Sequence, residues 1–191
     1  GFQNQMTMPL EAPTLLHRLL RRQTDALREA VRTYAALGVH GLFVEECLVS
    51  ADLISARIYE QFVLPYPKEI LDEARRLGLP TIQYVCGDAN PRLPRLRELA
   101  PTALAVEESK KGFQIDLAEV ARAVGDKLAL LGNLDSTQIK DWDDAELKRQ
   151  LATQKEAARS ARGYLASPGS PFPLDTPVER VRAFMRLARE V

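Results

Sequence analysis

The stretch P-T-I-Q-Y-V-C-G-D-A-N, residues 80–90, decides how this chain folds. Thr81, Ile82 and Val85 make a β-branched, apolar run of the kind that builds a buried strand. The run stops at Cys86, Gly87 and Asp88, so a thiol, a conformationally free glycine and a carboxylate stand at the strand's carboxyl end. The same pattern recurs on both sides. Upstream, residues 39–44 predict a strand that ends in Glu45, Glu46 and Cys47. Downstream, residues 102–106 deliver Glu107, Glu108 and Ser109, and residues 127–131 deliver Gly132, Asn133, Leu134 and Asp135. A fifth run, 163–166, opens into Ser167-Pro168-Gly169-Ser170.

Helical signals fill the gaps between these runs. Leu16, Leu19, Leu20, Leu27, Val31 and Tyr34 recur at helical spacing over 13–37, with Pro13 in the first turn and Gly38 as the stop. Residues 55–78 predict a helix broken where Pro65 and Pro67 bracket Tyr66. A short helix follows near 93–99. Asp116 with Glu119, and Asp143 with Glu146, read as capped helix starts; the second helix is expected to run to about residue 162. Thr176, Pro177 and Glu179 open the last helix, with Val178, Val181, Phe184 and Met185 on its apolar side.

Strands alternating with helices predict parallel βαβ units, hence an α/β fold. A closed (β/α)₈ barrel takes about 250 residues. These 191 residues hold five units, so the sheet is either open or the C-terminal part of a barrel, read as one domain. Residues 1–12 read as the cut end that leads into it. Lysine plus arginine equals aspartate plus glutamate at 26 each, which leaves no net field to draw in nucleic acid or an anionic membrane surface. No run approaches the ~20 apolar residues that span a bilayer, and no signal peptide is visible, so the expected location is cytoplasmic. The two cysteines, Cys47 and Cys86, do not suggest a disulfide framework.

In a parallel α/β sheet, chemistry gathers at the carboxyl ends of the strands. Adjacent glutamates on a strand point to opposite faces, so one of Glu45 and Glu46, and one of Glu107 and Glu108, can face a barrel interior and do acid–base work. The plain alternative is that they cap loops or pair with Lys110 and Lys111. Cys86 reads either as a metal ligand or nucleophile or as a small buried apolar group, and Cys47 as packing. Tyr84, Asp88, Asn133 and Asp135 are candidate substrate contacts, although Gly132-Asn133 is also ordinary turn chemistry. His40 lies at the start of its strand and His17 inside the first helix, away from that end.

The runs L-I-S-A-R-I-Y-E-Q-F-V-L-P-Y (53–66), Y-V-C-G (84–87), V-G-D-K-L-A-L-L-G-N-L-D (124–135) and S-P-G-S-P-F-P-L-D-T-P-V-E-R-V (167–181) carry a resemblance. From about residue 38 onward the chain resembles the uroporphyrinogen decarboxylase superfamily. The resemblance implies a (β/α)₈ TIM-type barrel, of which these five units are strands four to eight. It implies either decarboxylation of a porphyrinogen or transfer of a methyl group from a corrinoid protein. The third possibility is a non-catalytic barrel fragment or subunit. In the methyl-transferring branch, zinc is held by a His-x-Cys pair and a second cysteine. Tyr84, Cys86 and Ser170 stand at those positions, so Cys86 alone remains of that ligand set, and Glu45, Glu46 or Glu107 would have to complete a site. The decarboxylase branch has a histidine where Ser170 stands and needs no external cofactor, so Ser170 either replaces a catalytic side chain or records its loss. Five units would leave open strand edges, implying a homodimer or pairing with an N-terminal part.

Overall fold

The computed structural model describes all 191 residues. Five strands form one wholly parallel sheet: β1 (Leu42–Glu46), β2 (Thr81–Val85), β3 (Ala103–Val106), β4 (Ala129–Leu131) and β5 (Gly163–Leu165). Their spatial order is their chain order. A doubly wound sheet reverses its strand order at a switch point, whereas a barrel adds each strand beside the last. The sheet is therefore a barrel arc.

Register sorts the side chains into two faces. Phe43, Ile82, Ala103, Ala129 and Gly163 form one layer, and Glu45, Tyr84, Ala105, Leu131 and Leu165 the next. Of these, Phe43, Glu45, Tyr84, Ala105 and Leu131 line a cavity of about 320 Å³ on the concave, inward face. The alternate residues Val85, Leu104, Val106 and Leu130 point outward into the main core, which Leu71, Leu96, Val120, Ala121 and Val124 complete from the helices. Each fully buried leucine here stabilises by roughly 1.5–3 kcal/mol, and truncating Leu104 or Leu130 to alanine would cost about 2–5 kcal/mol.

Eight α-helices carry the chain around the arc. They are α1 (Phe2–Glu11), α2 (Pro13–Ala36), α3 (Ala56–Ile58), α4 (Pro65–Arg76), α5 (Leu93–Leu99), α6 (Leu117–Val124), α7 (Asp144–Ala157) and α8 (Val178–Leu187). The two capped starts form as expected. Asp116 accepts from the Ala118 amide and Asp143 from the Glu146 amide, both at 2.8 Å. Residues 2–11, for which no element is expected, form α1. Two expectations change. The break at Pro65 and Pro67 is instead a π-helical turn, Tyr59–Val63, leading into α4. Both prolines sit in the first turn of α4, where their missing N–H groups go unneeded. The long helix before β5 ends at Ala157, then tightens through Ala158–Ser160.

Candidate functional site

Past the last ladder pair, Glu46 with Val85, the Cys86 amide still donates to the Glu46 carbonyl at 3.2 Å. The parallel register therefore continues, and alternation returns residues 47 and 86 to the inward face beside Glu45. Cys47 Sγ lies 2.9 Å from Cys86 Sγ and donates to Glu45 Oε1 at 3.1 Å. Cys86 Sγ is 3.8 Å from the same oxygen. One donor atom from each of the three side chains lies within 4.8 Å of the others. Burial, then the neighbouring Cys47 thiol and the Glu107 and Glu45 carboxylates, push the Cys86 thiol well above its usual range. Cys47 is raised as well, by burial first and then by Glu45, with the Cys86 contact opposing. Cys47, expected to serve packing, is exposed at the rim.

A second cluster sits at the carboxyl end of β3. Glu107 accepts from the Gly87 amide at 2.9 Å and pairs with Lys110 at 2.9 Å. Lys110 also donates to Ser170 Oγ at 3.1 Å, and Ser170 reaches Glu107 at 3.4 Å. Tyr84 donates to the Gly169 carbonyl at 2.8 Å and lies 3.4 Å from Glu107. Burial, then Glu107 and Cys86, raise the Tyr84 phenol. Two glycines permit this closeness. Gly87 has φ +83°, and a Cβ there would meet Ser50 Oγ at 2.5 Å; a Cβ on Gly169 would strike the Glu108 amide nitrogen at 2.2 Å.

The other expected site residues lie elsewhere. Glu46 faces the helix layer, where Tyr59 donates to it at 3.2 Å and Gln83 at 2.8 Å. That placement corrects the expectation of Glu46 as an inward-facing catalytic group; alternation gives the inward place to Glu45 alone. Burial raises the Glu46 pKa to about 7, against the lowering effects of Tyr59, Gln83 and Arg92. Glu108 is buried, with Ser136 at 3.5 Å from one oxygen and no partner for the other. Asn133 donates to the Glu107 and Ile115 carbonyls, tying β3 to the following loop. Asp88 and Asp135 accept from the amides of Asn90 and Thr137, local turn bonds at 3.0 and 2.9 Å.

A sequence model described as uroporphyrinogen decarboxylase (URO-D) matches residues 1–191. The chain belongs to the uroporphyrinogen decarboxylase family. It is 28% identical to a uroporphyrinogen decarboxylase of Trichodesmium erythraeum, a match covering 100% of this chain and 51% of that protein. It is 24% identical to a methylated-thiol–coenzyme M methyltransferase of Methanosarcina mazei, covering 100% of this chain and 48% of that one. Among solved structures, a methyltransferase from Methanosarcina mazei superposes with a TM-score of 0.82 at 21% identity, over 98% of this chain and 53% of that chain. The chain thus spans about half the length of the curated relatives it matches. No helix is long and apolar enough to cross a membrane.

Family membership makes the departures concrete. Zinc held at the positions of Tyr84, Cys86 and Ser170 does not fit this member. The Tyr84 hydroxyl is spent on the Gly169 carbonyl, and Ser170 sits between Lys110 and Glu107. A phenol and an alcohol are also poor donors for a metal that takes thiolate, imidazole and carboxylate. Sequence reasoning missed the partnership of Cys47 and Gly169 with the site, whereas the pairing of Glu107 with Lys110 is the one it offered as the plain alternative. For Cys47 a signal existed: V-E-E-C and Q-Y-V-C both place a cysteine directly after the last residue of neighbouring strands.

Proposed function

We propose that this family member transfers a methyl group from a corrinoid-bearing protein to a small thiol at the rim of the inward face. The observation that carries the reading is the grouping of Glu45, Cys47 and Cys86 there. Charge supports it too. The rim presents the Glu45 and Glu107 carboxylates and both thiols, with Lys110 already paired to Glu107. A porphyrinogen bearing many carboxylates would meet like charge at such a rim, which disfavours the decarboxylase reading.

In this reading the acceptor thiol sits beside Cys86 and Glu45. Its sulfur forms the new bond to the methyl carbon, and the electron pair of the broken carbon–cobalt bond stays with the corrinoid. The thiol proton leaves through the Glu45 carboxylate, already a hydrogen-bond acceptor from a sulfur. The Lys110 N–H not given to Glu107 or Ser170 holds the polar end of the acceptor in this reading. The open edges at β1 and β5 are covered by further barrel strands, from a second copy or from the N-terminal half of a complete barrel.

The test supplies the protein with methylcobalamin and 2-mercaptoethanol, and in a parallel reaction with uroporphyrinogen. Appearance of the methyl thioether by mass spectrometry, lost in Cys86→Ala, is the expected result. Release of carbon dioxide from uroporphyrinogen without thioether formation would transfer the assignment to decarboxylation. Inertness towards both would leave a non-catalytic role.

A further inference from the structure

We propose that Glu45, Cys47 and Cys86 form a binding site for a thiophilic divalent cation of the zinc class, built across the junction of the first two strands. Two of its three donors, Glu45 and Cys47, lie outside the ligand positions described above for the zinc-holding branch. The seat lies at the β1–β2 junction, where Glu45 and Cys47 join Cys86, while Tyr84 and Ser170 stand at the other two ligand positions of that branch.

Backbone geometry makes the donors converge. Glu45 and Cys47 are two residues apart on one extended segment, so both project to the same face. Cys86 stands opposite Cys47 through the register that pairs Glu46 with Val85. Neighbouring parallel strands run about 4.8 Å apart, which brings side chains of one face within reach of a single ion. Around tetrahedral zinc, with Zn–S near 2.3 Å, two thiolate sulfurs stand roughly 3.8 Å apart. The free thiols are at 2.9 Å, so seating the ion requires them to open by about 0.9 Å, within the reach of a side-chain rotation.

The donor set selects the class of ion. Two sulfurs exclude magnesium and calcium, which take oxygen ligands, and suit zinc. Three protein donors leave a fourth position open, as in catalytic rather than structural zinc sites. That the open position takes the acceptor thiol rests on the methyl-transfer reading; the cation site itself does not. Seating the ion replaces two S–H bonds by two sulfur–metal bonds and releases two protons to solvent, so affinity rises with pH.

The experiment titrates the reduced, metal-free protein with Co²⁺ and follows thiolate-to-cobalt charge-transfer absorption. One equivalent should bind with the intensity of two thiolates, and one equivalent of Zn²⁺ should displace it. Cys47→Ser and Cys86→Ser should each cut that intensity to half or less, and Glu45→Gln should weaken binding by about tenfold or more. Ser170→Ala should leave the spectrum intact. A measurement free of folding effects uses the unsubstituted chain: Zn²⁺ should protect both thiols from alkylation. Unchanged alkylation rates would overturn the proposal. So would a Cys47→Ser spectrum equal to that of the parent, loss of the signal in Ser170→Ala, or a chain isolated with Cys47 and Cys86 as a disulfide that binds no metal after reduction. None of these readouts depends on turnover, so failure of the methyl-transfer assay with intact cobalt binding would overturn that function and leave the site standing.

Discussion

Glu46 and Glu45 are neighbours in sequence with opposite environments. Glu46 is 7% exposed, boxed between Tyr59, Gln83 and Arg92 on the helix side of the sheet. Burial lifts its pKa to about 7, whereas an unfolded glutamate titrates near 4.3. Between those values the folded state keeps a proton that the unfolded state has lost, so stability falls as pH rises through that window and levels off above it. The full effect is on the order of 3 kcal/mol. Glu46→Gln should remove this slope, because a neutral amide neither ionises nor pays the burial penalty of a charge. The new amide can also donate to the Gln83 side-chain oxygen, which is buried without a partner. Thermal melts from pH 4.5 to pH 8 should show the parent losing Tm with rising pH and the variant holding level, with the variant the more stable at pH 8. A parent curve flat across that range would refute the assignment.

At the scale of elements, a ladder of ion pairs joins α2 to α4 beside a small apolar seam of Val31, Ile70 and Ala74. Arg21 grips Glu69 with two bonds, at 2.6 and 2.8 Å, and Arg28 and Arg32 reach Glu73 at 3.1 and 3.0 Å, with Arg76 bonding the same carboxylate. Bonds from Arg32, Arg76 and Arg28 hold the Glu73 carboxyl down to about 2. A depressed folded pKa stabilises above the unfolded value and is lost as pH falls from roughly 4.3 towards 2. Glu73→Gln should therefore speed amide hydrogen exchange along α2 at neutral pH, while exchange in β3 and β4 stays slow; equal exchange in α2 of both proteins would count against the pairing. The arginines were visible in the sequence, but their partners were not, since the pairing spans more than 40 residues of chain. Legibility follows this divide between local and distant cause. Caps at Asp116 and Asp143 act within three residues, and the five strands announce themselves by short apolar runs, so both were readable. Helix α1 was not, because residues 2–11 bury no side chain and carry Pro9 inside the helix. Within the site, strand alternation marked Glu45 and Glu46 as opposed but could not say which looked inward. Packing of Tyr59 and Gln83 around Glu46 decided that, and only the strand register could bring Cys47 to Cys86.

For the whole molecule, the arc has two unpaired edges, and its inward face is incompletely covered. Phe43 on β1 is 60% exposed and Leu165 on β5 is 52% exposed, although both belong to the layers that fill a barrel interior. Phe43 has one aromatic neighbour on that face, Tyr84, with ring centroids 5.8 Å apart. Strand edges and large inward apolar groups of this kind draw in further strands. A chain of these 191 residues, prepared alone, should therefore associate with a second copy through the β1 and β5 edges. Light scattering coupled to size exclusion should give a mass above the monomer that falls on dilution. Phe43→Lys combined with Leu165→Lys should return the chain to a monomer without loss of helical circular dichroism, because neither side chain belongs to the buried core. Supplying the N-terminal half of a related barrel should compete with self-association, since one set of added strands covers both edges. A parent chain that stays monomeric at every concentration, with a cooperative melt, would mean that the arc is self-sufficient and that the exposed inward face is a binding surface rather than half of an interior.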